Sequence, residues 1–428
     1  MELASILRPL VFALTILLAW VGVKPFANLA DPSLLGTTEE GNPLNQVAYL
    51  AVATLLFATA AYVDRRVFSV FKWPLLILSL GWIAFSVAFS EDPSLAGRRV
   101  LFAALVVAMA GVVLILPRNL REFADILSGI ALLIIFVCFA GVAIAPGVSV
   151  HQASDVADAL AGDWRGLFAH KNIAAPMMVV FVFLGLYVAE VRSRVVGWLI
   201  IVGAVLFLIF THGKTASMLL PFVLVMSWLM LRLKSTTARN VVLLGGLLIF
   251  NLATLGSAYS ESIRNVAGLV LPDVTYTGRT EIWRFAIDHV RQRPITGYGL
   301  GAFWGTSKVL NSAETQADDG PNLVAHAHNG FLNLALEAGL PALFFAALWV
   351  LLTPLFDLKK IMSDDPDRPL TLFFVRLWLF GVYMSCFESV LFNRADPVWF
   401  CMLIAMFGLR LMTRCRFAPS TRLLLQRR

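Results

Sequence analysis

The longest polar stretch of this chain reads GRTEIWRFAIDHVRQRP at Gly278–Pro294, GYGLGAFWG at Gly297–Gly305, HAHNGFL at His326–Leu332 and EAGLP at Glu337–Pro341. It interrupts an otherwise apolar sequence and holds most of the titratable groups that could do chemistry. Every other segment has the composition of a membrane element. The polar stretch therefore predicts a functional region that membrane helices frame.

The composition is that of an integral membrane protein. The 428 residues are 59% hydrophobic and 14% charged, whereas a soluble domain is about 45–50% apolar and about 25% charged. The apolar runs are long enough for helices rather than barrel strands. The sequence therefore predicts an all-α integral membrane fold.

Twelve apolar segments have a length that could span a bilayer. They cover residues 5–27, 44–63, 71–90, 99–117, 123–146, 172–190, 195–211, 214–232, 240–258, 329–356, 369–392 and 396–413. This gives four regions. Residues 1–258 hold helices 1–9, residues 259–327 form one large loop, residues 328–413 hold helices 10–12, and residues 414–428 form a basic tail.

The distribution of Lys and Arg predicts the orientation. Most of these residues fall at the termini and in the loops that an even number of spans places on the same side. The positive-inside rule makes that side cytoplasmic, so both termini are cytoplasmic and the large loop is periplasmic. The net charge of +7 is explained by this orientation, and no nucleic-acid partner is expected.

The large loop contains a predicted amphipathic helix. Ile282, Phe285, Ala286 and Val290 share one helical face within Arg279–Val290. Such a helix beside a bilayer is expected to lie in the interface. The alternative is a plug helix without a chemical role.

Basic residues form the first group of candidate binding residues. A guanidinium binds phosphate oxygens in a bidentate manner, and several basic groups at one membrane surface suit a lipid diphosphate. The alternative for each residue is that it only reaches toward lipid headgroups. The candidates at outer span ends and in outer loops are Arg98, Arg99, Arg165, Lys171, Lys214, Arg279 and Arg284.

The histidines of HAHN form the second group. His328, supported by His326, could act as a general base on an acceptor hydroxyl or donate a hydrogen bond to a diphosphate leaving group. Asn329 could cap the following helix or bind substrate. A metal site would need further ligands, such as Glu314, Asp318 or Asp319. No ligand spacing supports one, so neither a metal nor another cofactor is predicted.

Two further features are expected to lie near these histidines. GYGLG lacks a preceding strand and a following helix signature, so a sharp turn packed against the histidine segment is favoured over a nucleotide-binding loop. Glu388 and Arg394 flank the outer end of the eleventh span and could line the same cavity.

In this order, the motifs resemble the O-antigen ligase (Wzy-C) superfamily of bacterial envelope proteins. DWRGLFAHKN at Asp163–Asn172 and THGKTAS at Thr211–Ser217 look like its ExoQ-type exopolysaccharide polymerases. The resemblance implies an inner-membrane enzyme that transfers a glycan from undecaprenyl diphosphate to a sugar hydroxyl, with His328 as the essential histidine. It also implies a GT-C-like helical fold. The family arginines that contact the diphosphate would correspond in role to Arg165 and Arg279, with Lys214 in the slot before the eighth span.

The hypothesis is thus a polymerase that joins undecaprenyl-diphosphate-linked oligosaccharide units into exopolysaccharide. Its partners would be this lipid-linked oligosaccharide, the bilayer, and a chain-length regulator and flippase of the same pathway. Two alternatives stay open: a ligase that transfers the glycan to lipid A–core, and a transporter or flippase. Internal repeats are typical of transporters, and the sequence contains none.

Overall fold

The computed structural model of the chain describes residues 2–26, 43–153, 155, 160–270, 279–304, 306, 309, 326–363, 368–393 and 396–414. Within these ranges the protein is helical and no β-strand occurs. An isolated bridge joins Val150 to Trp164. The basic tail predicted at 414–428 lies outside the described residues except for its first residue, and so do Glu314, Asp318, Asp319 and Arg394.

Fourteen helices of ten or more residues occur in the described part of the chain. They are α1 Glu2–Val21, α2 Pro43–Val63, α3 Pro74–Ser86, α4 Pro93–Val113, α5 Leu120–Ile144, α6 Lys171–Val191, α7 Arg194–Phe210, α8 Lys214–Arg232, α9 Thr236–Asn251, α10 Glu261–Val270, α11 Arg279–Gln292, α12 Gly330–Ala347, α13 Arg368–Met384 and α14 Pro397–Arg414. After a π-helical turn, Leu348–Leu352, α12 continues as a helix over Thr353–Ser363.

Each of the twelve predicted apolar segments coincides with a helix. Among the residues that the structure describes, seven helical stretches are long and apolar enough to cross a membrane; they contain α2, α4, α5, α6, α8, α9 and α12. Four shorter apolar helices lie in α1, α3, α7 and α14. The protein is therefore a multi-pass, all-α membrane protein, and the exact number of crossings stays a prediction.

The centre of the bundle is α6. Of the 18 most apolar consecutive residues of α6, 78% are buried inside the protein. The helix packs along α7 and α13. A side chain at Gly197 would meet the backbone nitrogen of Ala189 and the carbonyl oxygen of Gly185, both at 2.5 Å. Small residues therefore let the α6 and α7 backbones approach closely, as is common in membrane helix pairs.

The two ends of the bundle differ in what they hold. At one end, Arg192 pairs with Asp125 at 2.6 Å, and Arg410 pairs with Asp357 at 3.0 Å. At the other end, called here the site end, α6, α8 and α12 begin and α13 ends. The side chains at the site end form the site described below.

Two predictions about elements need correction. The apolar face of α11 is not presented to a bilayer, because Ile282, Trp283 and Phe285 are buried against the protein itself. The apolar segment predicted at 369–392 does not stay helical either, because α13 ends at Met384. The segment 385–393 folds back over the start of α12 instead, where Gly330 N donates a hydrogen bond to Ser385 O at 2.7 Å.

Candidate functional site

His328 is held at the start of α12 by the residues around it. Asn329 is the N-cap, and its side chain accepts a hydrogen bond from Leu332 N at 3.0 Å. The Asn329 side chain also donates to Asn251 Oδ1 at 3.2 Å and to Cys386 O at 3.1 Å. His328 itself has φ +48°, a backbone conformation that is uncommon outside glycine. The surrounding bonds thus fix the direction in which its imidazole leaves the chain.

Glu388 joins His328 to Arg279. One carboxylate oxygen lies 2.8 Å from His328 Nδ1, and the other lies 2.8 Å from Arg279 Nη2. Arg279 also donates through Nη1 to Phe387 O at 2.7 Å. Three residues that are far apart in sequence thereby form one continuous network of charged hydrogen bonds, which are stronger than neutral ones.

The charge of Glu388 selects the tautomer of His328. Burial alone would raise the pKa of Glu388, but Arg279 and His328 outweigh it and hold the pKa well below its usual range. The ionised carboxylate only accepts hydrogen bonds, so His328 Nδ1 carries a proton. In neutral His328, Nε2 is then left as a proton acceptor, which is the form a general base requires.

His326 lies directly behind His328. Their ring centroids are 4.2 Å apart, and His326 Nδ1 accepts the backbone N–H of His328 at 3.3 Å. Burial, reinforced by the neighbouring His328, lowers the pKa of His326 to about 3. His326 is therefore neutral near pH 7 and supports the His328 backbone without adding charge.

The GYGLG turn packs against α12 at Leu336 and Glu337, further along the chain than the histidine segment that the sequence predicted. Tyr298 N and Gly299 N donate to Leu336 O and Glu337 O at 3.1 and 2.7 Å. These carbonyl groups precede a kink at Gly339, where φ is +82°. A side chain at Gly339 would collide with Ile295 O, so a glycine is needed where the turn meets the helix.

A cavity of about 680 Å³ opens beside this network. Its polar lining comes from the starts of α6 and α8, from Arg279 and from Glu388. Its apolar lining includes Pro176, Met218 and Phe387. The basic groups on the cavity wall are His170, Lys171, His212, Lys214 and Arg279. Such a lining suits an anionic head group attached to an apolar chain.

Asp163 contacts two residues that line the cavity. It forms an ion pair with Lys171 Nζ, and its other oxygen lies 2.7 Å from His212 Nδ1. The neighbouring His170 caps α6 by accepting Asn172 N at 3.0 Å. Burial lowers the pKa of His170 to about 4, so this histidine is neutral near pH 7.

The structure brings only part of the predicted set to the cavity. Lys171, Lys214 and Arg279 line it, and His328 adjoins it through Glu388. Arg165 is buried beneath it, and its guanidinium donates to Phe168 O at 3.3 Å.

The remaining predicted arginines do not line the cavity. Arg99 donates to Gly301 O and so ties the GYGLG turn to α4. Arg284 donates to Ala258 O at 2.6 Å. Arg98 is exposed on α4.

Among the described residues, His326, His328 and Glu388 could offer ligand atoms to a metal, since these atoms lie within 4.8 Å of one another. Both oxygens of Glu388 are already bonded, one of them to a guanidinium at 2.8 Å. A cation at this position would face the positive charge of Arg279. The donor set therefore favours the ion-pair network over a metal site.

Sequence reasoning left out two residues that line the cavity, His170 and His212, and also Asp163, which contacts His212. Asp163, His170 and His212 lie within the motifs DWRGLFAHKN and THGKTAS. The sequence feature that could have identified them is the occurrence of two short polar motifs at the ends of neighbouring predicted spans. Glu388 was noted as a residue that could line the cavity, but nothing in the sequence links it to Arg279 and His328.

Comparisons with known proteins agree with the motifs. Residues 177–347 match the family model described as O-antigen ligase. The chain is also 27% identical over 228 residues to the exopolysaccharide production protein ExoQ of Rhizobium meliloti (strain 1021), which covers 50% of this chain and 52% of that protein. The chain thus matches about half the length of this curated relative. The predicted resemblance to the O-antigen ligase family is confirmed over a region that contains His212, Lys214, Arg279 and His328.

Proposed function

We propose that this protein is a membrane glycosyltransferase that polymerises oligosaccharide units carried on undecaprenyl diphosphate. The observation that carries the proposal is the cavity, which has basic groups on its walls, an apolar lining, and the Arg279–Glu388–His328 network on one side. A lipid diphosphate combines the two properties that this lining would recognise, a multiply charged anion and an apolar chain.

The chemistry needs two tasks from the protein. Arg279, Lys171 and Lys214 would stabilise negative charge as the bond between the sugar and the diphosphate breaks. His328 would accept the proton of the attacking hydroxyl through Nε2, because Glu388 holds the proton on Nδ1. The glycan is then joined to the acceptor, and undecaprenyl diphosphate leaves.

The proposed setting is the periplasmic face of the bacterial inner membrane, with both termini in the cytoplasm. The excess of Lys and Arg at the opposite end of the bundle supports this orientation. A chain-length regulator and a flippase that delivers the lipid-linked donor are the proposed pathway partners. The division into residues 1–258, 259–327, 328–413 and 414–428 belongs to the same proposal.

A ligase that transfers the glycan to lipid A–core is the second candidate. It is favoured by the match of residues 177–347 to a family described as O-antigen ligase. The donor side of the reaction would be the same for both enzymes. Only the acceptor separates them, so the test must vary the acceptor.

The test uses the purified full chain with lipid-diphosphate-linked repeat units, with and without EDTA, and resolves the products on a gel. We expect a ladder from the wild type that survives EDTA and is lost in His328→Ala, because that variant lacks the base. His289→Ala is the matched control, since His289 lies on α11 and does not line the cavity.

The other results separate the alternatives. A product only when lipid A–core is added would replace the polymerase by the ligase. Loss of the ladder in EDTA would contradict a metal-free reaction. No transfer to either acceptor, together with donor movement across vesicles, would favour the transporter.

A further inference from the structure

His212 is held on the cavity wall in the same way as His328. Each histidine lies two residues before a helix, α8 or α12, and their φ values are +49° and +48°. Each places Nδ1 close to a carboxylate oxygen, at 2.7 Å from Asp163 and at 2.8 Å from Glu388. Each carboxylate also pairs with a cation, Asp163 with Lys171 and Glu388 with Arg279.

The two histidines differ in their access to the cavity. The His212 side chain is 65% exposed and lines the cavity, whereas the His328 side chain is 23% exposed and adjoins it through Glu388. His212 does not serve as a helix cap, because Gly213 is the N-cap of α8 and no side chain caps that helix. An exposed histidine oriented by a carboxylate therefore lacks a purely structural explanation.

The charges around His212 indicate what it would meet. Lys171, Lys214, Arg279 and Glu388 line the same cavity as His212. His170 is close by, but its Nδ1 is used to cap α6. An anion that enters this part of the cavity would favour the protonated form of His212, as a nearby opposite charge does in general.

We infer that His212 is a second catalytic residue, which donates a proton from Nε2 to the departing diphosphate, and that Asp163 is its positioning residue. This inference rests on the proposed function. Asp163 accepts the proton of Nδ1, so Nε2 is the nitrogen that remains for the ligand. His328 and His212 then act as base and acid on the two sides of one reaction.

The proposed step is balanced. The acceptor oxygen forms a bond to the anomeric carbon, and its proton passes to His328 Nε2. The bond between the anomeric carbon and the diphosphate oxygen breaks, and its electron pair stays on that oxygen, which receives the proton of His212 Nε2. Exchange with water then restores a protonated His212 and a neutral His328.

The test compares the full chain in lipid nanodiscs with the variants His212→Gln, Asp163→Asn and His289→Gln, and measures kcat and KM for the lipid-linked donor between pH 5 and 9. For His212→Gln we expect a loss of kcat of about 10²-fold with KM unchanged. The wild-type rate should fall at alkaline pH as His212 loses its proton, and this fall should be absent in His212→Gln. Asp163→Asn should lower kcat in the same direction, and His289→Gln should match the wild type.

Three results would overturn the inference. An unchanged kcat in His212→Gln would exclude an acid at this position, although the glycosyltransferase itself would stand. If His212→Gln lost the same fraction of kcat at every pH and its rate still fell at alkaline pH, His212 would have a structural role and not an acid role. No transfer by the wild type under any condition would remove the proposed function and this inference together.

Discussion

Glu388 has more influence on the site than any other single carboxylate in the described part of the chain. It lies on the short segment between α13 and α14 and contacts both His328 and Arg279. Because its pKa is held well below its usual range, it keeps a full charge at neutral pH. The orientation of His328 and the charge balance of Arg279 therefore both depend on the carboxylate oxygens of Glu388.

Replacing Glu388 by Gln tests this dependence. The amide replaces one of the two oxygens that now accept separately from Arg279 and His328 by an NH2 donor, so the tautomer of His328 is no longer fixed. We expect kcat to fall by about 10²-fold or more while the protein still folds in membranes. The initial rate of glycan transfer measures the effect.

Glu281→Gln is the matched control, because Glu281 is exposed and does not line the cavity; it pairs with Arg284 at 3.4 Å and accepts from Thr280 Oγ1 at 2.6 Å. A fully active Glu388→Gln protein would show that His328 does not need this carboxylate. A loss of activity of the same size in Glu281→Gln would point to a general effect of removing an acid.

The buried histidine His326 predicts a pH dependence of stability. Its folded-state pKa is about 3, whereas an unfolded histidine titrates near 6.5. Between these values the unfolded chain binds more protons, so stability falls as the pH decreases below about 6.5. We expect Tm to be lower at pH 5 than at pH 7, and this difference to be smaller in His326→Gln.

His170 acts in the same direction, because its pKa is lowered to about 4. Glu388 does not contribute in this window, since a carboxylate with a lowered pKa loses its stabilising effect only below its unfolded value of about 4.3. An equal Tm difference in wild type and His326→Gln would assign the pH dependence to other groups.

Sequence reasoning was most successful for residues whose chemical type limits their role. His328 and Arg279 could be selected from the HAHN and GRTEIW motifs, and both lie in the network. Contacts between distant positions could not be predicted, because Arg279 and Glu388 are 109 residues apart and meet only through the packing of α11 against α12 and the return of the chain after α13. Asp163 and His212 were missed for the same reason.

The element that carries most of this arrangement is α12. His328 lies two residues before its first residue, and the carbonyl groups that precede its kink at Gly339 accept hydrogen bonds from the GYGLG turn. Sequence hydropathy predicted the helix, since a long apolar run has few other options in a bilayer. The end of α13 at Met384 was not predictable in this way, because the following residues are also apolar.

Gly339→Ala should be the most damaging of the conservative glycine changes. The positive φ is strained for alanine by about 1–3 kcal/mol, and the new methyl group would collide with Ile295 O. We expect a lower Tm and a lower transfer rate, because the turn and the start of α12 can no longer pack together. Thermal unfolding in detergent, followed by the activity assay, measures both.

Gly245→Ala provides the control for a glycine within a helix. Gly245 lies in α9, and nothing lies within 4 Å of the position that its side chain would occupy. This change should be neutral or stabilising by roughly 0.5–1 kcal/mol. Equal effects of the two substitutions would show that the kink tolerates a side chain.

At the scale of the whole molecule, the two bundle ends can be assigned to the two sides of the membrane by cysteine labelling. Ser94 is exposed near the start of α4 at the site end, and Lys234 is exposed after α8 at the opposite end. In a protein whose natural cysteines are replaced, we expect an impermeant maleimide to label Ser94→Cys in cells with a permeabilised outer membrane. Lys234→Cys should react only after the inner membrane is opened.

The reverse labelling pattern would place the cavity on the cytoplasmic side. It would also contradict the orientation derived from the distribution of Lys and Arg. Labelling of both positions from one side would contradict the odd number of crossings, α4 to α8, between them.

The late position of Glu388 in the chain has a consequence for biosynthesis. The ribosome makes Arg279 and His328 well before it makes Glu388, which follows them by 109 and 60 residues. During this interval the nascent protein already carries the basic groups of the cavity but lacks the acid that orients His328. Products of premature termination before α13 are thus expected to lack an oriented His328 and to show no glycan transfer.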